Sequence, residues 1–327
     1  MLLVMRTRFG LAITVLLVGL AVVFVPSLTR AAPRAPMPTF VLVNSSEDMS
    51  VYSSVTGARV RTLGAFSSNV FTDNGLAYAP DGSAVYFTLI PRHHTRHFFL
   101  RLMRLDVASG RQTVVAAGAQ PALNNDGNQL AYGAFPQGLA VRDLKTGQTR
   151  TVAMKMLGEA ADLGNASIHW LGDGSTIAIM PAGTPWDLIG KPPKLRWCGT
   201  SQRRPVVVFV HVPAPPAPLI ATCVHLSGTS VTGGDALGAD PDSPSALLAA
   251  GDARGGGTVI EKITETGKLT PLLTIPDSLA LAFDPSGSHL LYLAGHKKPT
   301  LTEASITNGQ LVPGSWRDRL DLGALAW

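Results

Sequence analysis

Short apolar runs alternate with tight polar turns along most of this chain, and one arrangement keeps returning. An apolar strand leads into an Asp/Asn/Gly turn and then a second apolar strand. This happens in Leu76-Ala-Tyr-Ala-Pro-Asp-Gly82, Pro121-Ala-Leu-Asn-Asn-Asp-Gly127, Ile168-His-Trp-Leu-Gly-Asp-Gly174, Ala236-Leu-Gly-Ala-Asp-Pro-Asp242 and Leu281-Ala-Phe-Asp-Pro-Ser-Gly287. A second turn, rich in Thr or Ser and Gly, recurs at Val55-Thr-Gly57, Ala108-Ser-Gly110, Lys145-Thr-Gly147, Glu265-Thr-Gly267 and Thr307-Asn-Gly309. Gly and Asn supply the positive φ that a tight hairpin needs, so each turn marks a strand reversal. One unit is therefore strand A, Asp-Gly turn, strand B, variable loop, strand C, Thr-Gly turn, strand D. The segment Thr39–Gly64 starts with what the other units carry second, and Leu322–Trp327 reads as its missing first strand.

The turns at Gly82, Gly127 and Gly174 lie 45 and 47 residues apart; the next gap, to Asp242, is 68, and Gly287 follows 45 later. Repeats of this length with four strands each match propeller blades rather than helical solenoids. Beyond the first residues no segment sustains the i, i+3, i+4, i+7 apolar pattern of a helix. The expectation is an all-β, six-bladed β-propeller of four-stranded blades over residues 39–327, its ring closed by Leu322–Trp327 joining the N-terminal blade. Such closure removes an open sheet edge. A β-sandwich, or seven blades with part of Ser201–Leu226 as an insertion, are the alternatives.

The Ala-Tyr-Ala-Pro-Asp-Gly-Ser segment from Ala77 and the Ala-Phe-Asp-Pro-Ser-Gly-Ser segment from Ala282 carry a resemblance. Each leads into an apolar strand, and both look like the TolB-type, WD-repeat-like β-propeller repeat. The blades of Leu76 and Leu281 match most closely, and together the units cover most of residues 39–327. The motif is specific for the blade and not for an activity. The chain also resembles the propeller of prolyl-oligopeptidase-like enzymes. What the resemblance implies is a propeller that binds a partner or supports a complex.

Charge and leader residues change the picture in one respect. Arg6 and Arg8 precede an uncharged run of 17 residues from Gly10 to Pro26, followed by Thr29-Arg30-Ala31-Ala32-Pro33. That is the pattern of a secretory leader, short for a membrane span of about 20 residues. Residues 1–31 are expected to be a signal peptide or signal anchor, and 32–38 a Pro/Ala linker. The whole chain has 27 basic and 22 acidic residues. Without Arg6, Arg8 and Arg30 the formal charge falls from +5 to +2. A nucleic-acid partner thereby loses its support. The protein is expected to be secreted, periplasmic or held at the cell envelope of a bacterium. Two cysteines are too few for a disulfide scaffold, so an apolar core must hold the fold. Cys198 and Cys223 fall in one unit, and in an oxidising compartment they are read as a disulfide pinning a long loop to an outer strand.

In this blade topology the A–B and C–D turns share one face, and the B–C loops open on the other. Two B–C loops are long. Pro91–Leu100 places His93, His94 and His97 beside Arg92 and Arg96. A metal site or a pH-sensitive basic patch is one reading. The spacing is not that of a helical His pair and no carboxylate lies within the loop, so neither metal nor cofactor is assigned. Pro181–Pro205 holds Trp186, Lys191, Lys194, Arg196, Trp197, Arg203 and Arg204 against one acid, Asp187. Arg and Trp are enriched at binding hot spots, so His93, His94, Arg96, His97, Trp186, Arg196, Trp197, Arg203 and Arg204 form the candidate contact face. A solvated loop covering the core edge is the plainer alternative. Asp81, Asp126 and Asp173 belong to separate turns and form no acid–base pair. Gly251–Gly257 joins two strands with no following helix and is no phosphate loop. No catalytic residue is assigned. The expected partner is an unknown extracytoplasmic protein or anionic envelope ligand. A propeller hydrolase, lyase or lactonase, or a membrane-tethered sensor ectodomain, are the competing functions.

Overall fold

A computed structural model describes residues 39–43, 48–65, 70–89, 100–134, 138–153, 166–181, 198, 206–226, 236–252, 257–275, 278–294, 300–307, 310–319 and 324–327. Every regular element among them is a strand. Where the sequence puts continuous apolar runs, as in Val206-Val-Val-Phe-Val-His211, the strand is buried on both faces. Where it alternates, as in Ile220-Ala-Thr-Cys-Val-His225, the strand is an outer one with a wet face.

The first sheet contains β1 (Thr39–Val43), β2 (Asp48–Ser53) and β3 (Arg59–Ala65), with the last strand of the chain, β23 (Ala324–Ala326), on its inner side. Val41 pairs with Ala326, Leu42 with Leu325 and Val43 with Ala324, all antiparallel. Next in the chain come β4 (Val70–Tyr78), β5 (Ala84–Leu89), β6 (Arg101–Asp106), β7 (Gln112–Leu123), β8 (Gln129–Ala134), β9 (Gly138–Asp143) and β10 (Thr149–Ala153). They form one seven-stranded sheet instead of two separate units. The reason is β7: its first half pairs with β6 and its second half with β8, with no loop between. The bend falls near Gln120, which has φ 58° and donates its backbone N–H to Thr88 Oγ1 at 3.1 Å.

Three four-stranded sheets complete the fold, each in chain order. They are β11 (Ala166–Trp170), β12 (Thr176–Pro181), β13 (Val206–His211) and β14 (Ile220–His225); then β15 (Ala236–Asp240), β16 (Ser243–Asp252), β17 (Thr258–Thr264) and β18 (Leu269–Ile275); then β19 (Ser278–Phe283), β20 (His289–Ala294), β21 (Thr300–Thr307) and β22 (Gln310–Arg319). The innermost strands touch in series: β23 with β4, β4 with β7, β7 with β11, β11 with β15, β15 with β19, and β19 with β23.

The core is divided accordingly. One cluster joins β12 and β13 to β16 and β17 through Met180, Val207, Phe209, Leu247 and Ile263. Another unites Phe40, Val85, Phe87, Leu291, Leu293 and Trp327, drawing on three sheets. Hydrogen bonds stitch neighbours as well. Trp170 Nε1 donates to the Ala122 carbonyl at 3.1 Å, and Arg150 reaches the Pro213 carbonyl at 2.7 Å. Arg61 donates to the Ala108 carbonyl at 2.8 Å.

Candidate functional site

The recurring carboxylates are spent on the turns that hold the strands. Asp81 Oδ1 accepts the Ser83 N–H at 2.9 Å, and Asp173 accepts both the Ser175 and Thr176 N–H groups at 2.8 Å. Asp106 accepts the Ser109 N–H and hydroxyl, and Asp143 the Lys145 and Thr146 N–H groups. These hydrogen bonds hold Asp81, Asp106 and Asp143 below the usual carboxylate range. The glycines that close the turns have positive φ, as at Gly127 (66°) and Gly287 (72°). Turn chemistry thus accounts for Asp81 and Asp173, as their spacing around the repeat implies.

A Ser–His–Asp grouping in the last sheet meets the same fate. Ser288 Oγ lies 3.3 Å from His289 Nδ1, with Asp284 Oδ2 3.9 Å from that same nitrogen. A catalytic triad needs nucleophile and acid on opposite imidazole nitrogens. Here buried Asp284 also accepts the His289 N–H at 2.9 Å, as a turn residue does. Glu303 nearby has its carboxyl pushed up by burial, with Asp284 adding to the effect and His289 opposing it. Buried Asp240 is neutralised by Lys262. Among the described residues no group of three His, Cys, Asp or Glu side chains is placed to hold a metal.

The cysteines do come together. Cys198 and Cys223 form a disulfide with Cα atoms 6.0 Å apart. Cys223 sits on β14 opposite Val208 of β13, and both sulfur-bearing residues pack against the core of that sheet. The bridge therefore anchors the segment between β12 and β13 to the outer strand. His93, His94, Arg96, His97, Trp186, Arg196, Trp197, Arg203 and Arg204 lie outside the described residues. What is described is where their segments leave the sheets. Leu89 pairs with Arg101, and Ala166 with Pro181, at the ends away from the Asp81 and Asp173 turns.

A cavity of about 130 Å³ opens among the innermost strands. Its wall draws on β4, β7, β11, β15, β19 and β23, and includes Pro80, Asn125 and Pro285 of the tight turns. It therefore lies toward the turn end of the strands. Among its lining residues are no Asp, Glu, Lys or Arg side chains. The ionisable side chain of note is His169, on β11 between Ile168 and Trp170. Its residue keeps some accessible surface, but Nε2 is shut off from solvent and has no hydrogen-bond partner. Burial lowers its pKa to about 4, so it is neutral at pH 7.

Sequence reasoning passed over His169, although a signal exists. Five positions before the turn glycine, three other units carry Ala77, Ala122 and Ala282, and all three line the same cavity. His169 is the imidazole at a position that carries alanine in those three units and Leu237 in the unit of Ala236–Asp242.

No family model and no curated protein matches the chain. Among solved structures it is similar to TolB from Acinetobacter baumannii, at 16% identity and a TM-score of 0.55 over 88% of this chain and 66% of that one. The fold is a TolB-type β-propeller. The chain thus spans slightly less than two thirds of that TolB. The propeller domain of Cps50 (Swd1) from Myceliophteria thermophila is similar at 11% identity and a TM-score of 0.50, over 89% of this chain and 86% of that one. An oligogalacturonate lyase from Vibrio parahaemolyticus matches at 13% identity and a TM-score of 0.49, over 83% and 75%.

Proposed function

We propose that this chain is an exported, non-enzymatic propeller of six blades that recognises a protein or an anionic ligand at or outside the cell envelope. The observation that carries the reading is the Cys198–Cys223 disulfide. Such bonds persist in oxidising compartments. This one tethers the segment that bears Trp186, Arg196, Trp197, Arg203 and Arg204 to a rigid sheet. Restraining a binding loop lowers the ordering cost of association.

Two observations support the reading of six blades and a closed ring. The innermost strands touch in an order that returns to its start, and β23 pairs with β1 while touching β4 and β19. The β7 strand serves two blades in turn, as the outer strand of one and the inner strand of the next. A binding role is favoured over catalysis by the cavity, whose described wall presents one neutral imidazole and no carboxylate pair. At about 130 Å³ it is also below the roughly 300–1,000 Å³ of typical small-molecule pockets.

Crosslinking with mass spectrometry on intact envelopes tests the reading. The triple variant Arg196→Glu, Arg203→Glu, Arg204→Glu should lose the crosslinks that the wild type forms, at an unchanged melting temperature. Undiminished crosslinks would overturn the proposed face. N-terminal sequencing of exported protein should start at Ala32 or close by; a start at Met1 would favour a tethered ectodomain.

A further inference from the structure

The face that carries the tight turns, opposite the long loops, is divided by charge. From β1 to β10, the exposed cations Arg59, Arg61, Arg111 and Lys145 lie in the A–B and C–D turns or within three residues of them. Arg104, Arg142 and Arg150 stand beside them, half-buried. Against these seven are Asp81, Asp106, Asp126 and Asp143, which gives this half a formal charge of +3. From β11 to β22 the same zone holds Lys262 and Lys268 against Asp173, Asp240, Asp242, Glu265 and Asp284, a formal charge of −3 among the described residues. The halves are spatial as well as sequential: the inner strands β23, β4 and β7 touch in series, and β11, β15 and β19 continue that series. The exposed large hydrophobic side chains among the described residues, Val55, Val60, Val114 and Ile220, lie in the same zone, each in a C–D turn or within three residues of one. We propose that the turn face is a homodimer interface, occupied by a second copy of this chain turned by 180° about the line between the two halves.

That rotation lays the basic half of each copy over the acidic half of the other, the self-complementary arrangement of a two-fold dimer. A half-turn about the perpendicular line in the same face sets like charge on like, so the pattern selects one orientation. A uniformly anionic or cationic partner is attracted by one half and repelled by the other, whereas a second copy brings the matching pattern. Asp240 and Lys262 neutralise each other within one copy and leave the −3 unchanged. Burying the exposed valines and Ile220 adds an apolar contribution. The ends where Leu89 and Pro181 leave their sheets then point outward on both sides, so the dimer presents two loop faces. The interface does not depend on what those loops recognise.

Sedimentation velocity of the full chain, over a concentration series at about 20 mM and about 500 mM NaCl, tests the proposal. A monomer–dimer equilibrium is expected at low salt, weakened by more than about tenfold at high salt, where screening shortens the reach of the charges. The variant Arg59→Glu, Arg111→Glu, Lys145→Glu takes the basic half from +3 to −3, and the variant Asp242→Lys, Glu265→Lys takes the acidic half from −3 to +1. Each variant alone should be monomeric at low salt, and equal amounts of the two should associate as a heterodimer. A wild type that stays monomeric at low salt overturns the proposal. So does a dimer that persists in either variant alone, or a mixture that fails to associate. If one variant does not melt cooperatively, the salt dependence of the wild type and the behaviour of the other variant still decide.

Discussion

Lowering the pH from 7.5 to 5 should destabilise the folded chain through one residue, His169. A free histidine titrates near 6.5, whereas burial brings this one to about 4. Between those values the unfolded chain binds a proton that the folded chain refuses. Protonation therefore draws the equilibrium toward the unfolded state as pH falls. The stability is intact above about pH 7, declines from about pH 6.5 downward, and stops declining below about pH 4. At about 1.4 kcal/mol per pH unit the full loss is about 3 kcal/mol, of which about 2 kcal/mol has gone by pH 5. Urea unfolding at the two pH values, on the wild type and on His169→Ala, measures it. Alanine is the residue other units already carry at this position, so the variant keeps the repeat's own packing. The carboxylates with shifted titration, Asp81, Asp106, Asp143 and Glu303, are common to both chains and cancel in the difference. The wild type should lose about 2 kcal/mol more than the variant on going to pH 5. Equal losses would mean that the imidazole is solvated or paired in solution, and the burial argument would fail.

Reducing Cys198–Cys223, or replacing both residues by Ser, removes a crosslink between positions 25 apart. Chain entropy puts the cost at about 3 kcal/mol, read as a lower denaturation midpoint with and without reductant. Replacing Trp170 by Phe leaves the Ala122 carbonyl without its buried donor, and should cost about 1–3 kcal/mol in urea unfolding. Deleting residues 322–327 takes away the partner of β1 and should give aggregated protein in size-exclusion chromatography; a monomer of wild-type stability would contradict the closed six-blade ring.

Most of the architecture was legible because each turn is written in residue types with a local mechanism. Asp173 followed by Gly174 encodes both the side-chain cap and the positive φ, and neither depends on distant packing. The pairing of Cys198 with Cys223 was legible for a similar reason, since two cysteines in one unit leave a single choice of partner. The continuity of β7 was not. Gln112–Leu123 reads as two strands because its register change is set by β6 and β8, which no local pattern reports. His169 escaped notice for the opposite reason: it was counted as one more residue of a repeat. Only comparison with Ala77, Ala122 and Ala282 across units exposes it as the exception.

The pairing of Val41 with Ala326 also sets a clock on biosynthesis. The two residues are 285 positions apart, so the inner edge of β1 has no partner until Ala326 has been made. At about 5–20 residues per second, that edge waits roughly 15 to 60 s after it is made. Contacts of such long range also form late in folding. The first of the described strands is thus among the last to be satisfied. Until then β1 offers a free apolar hydrogen-bonding edge that a holding chaperone can shield.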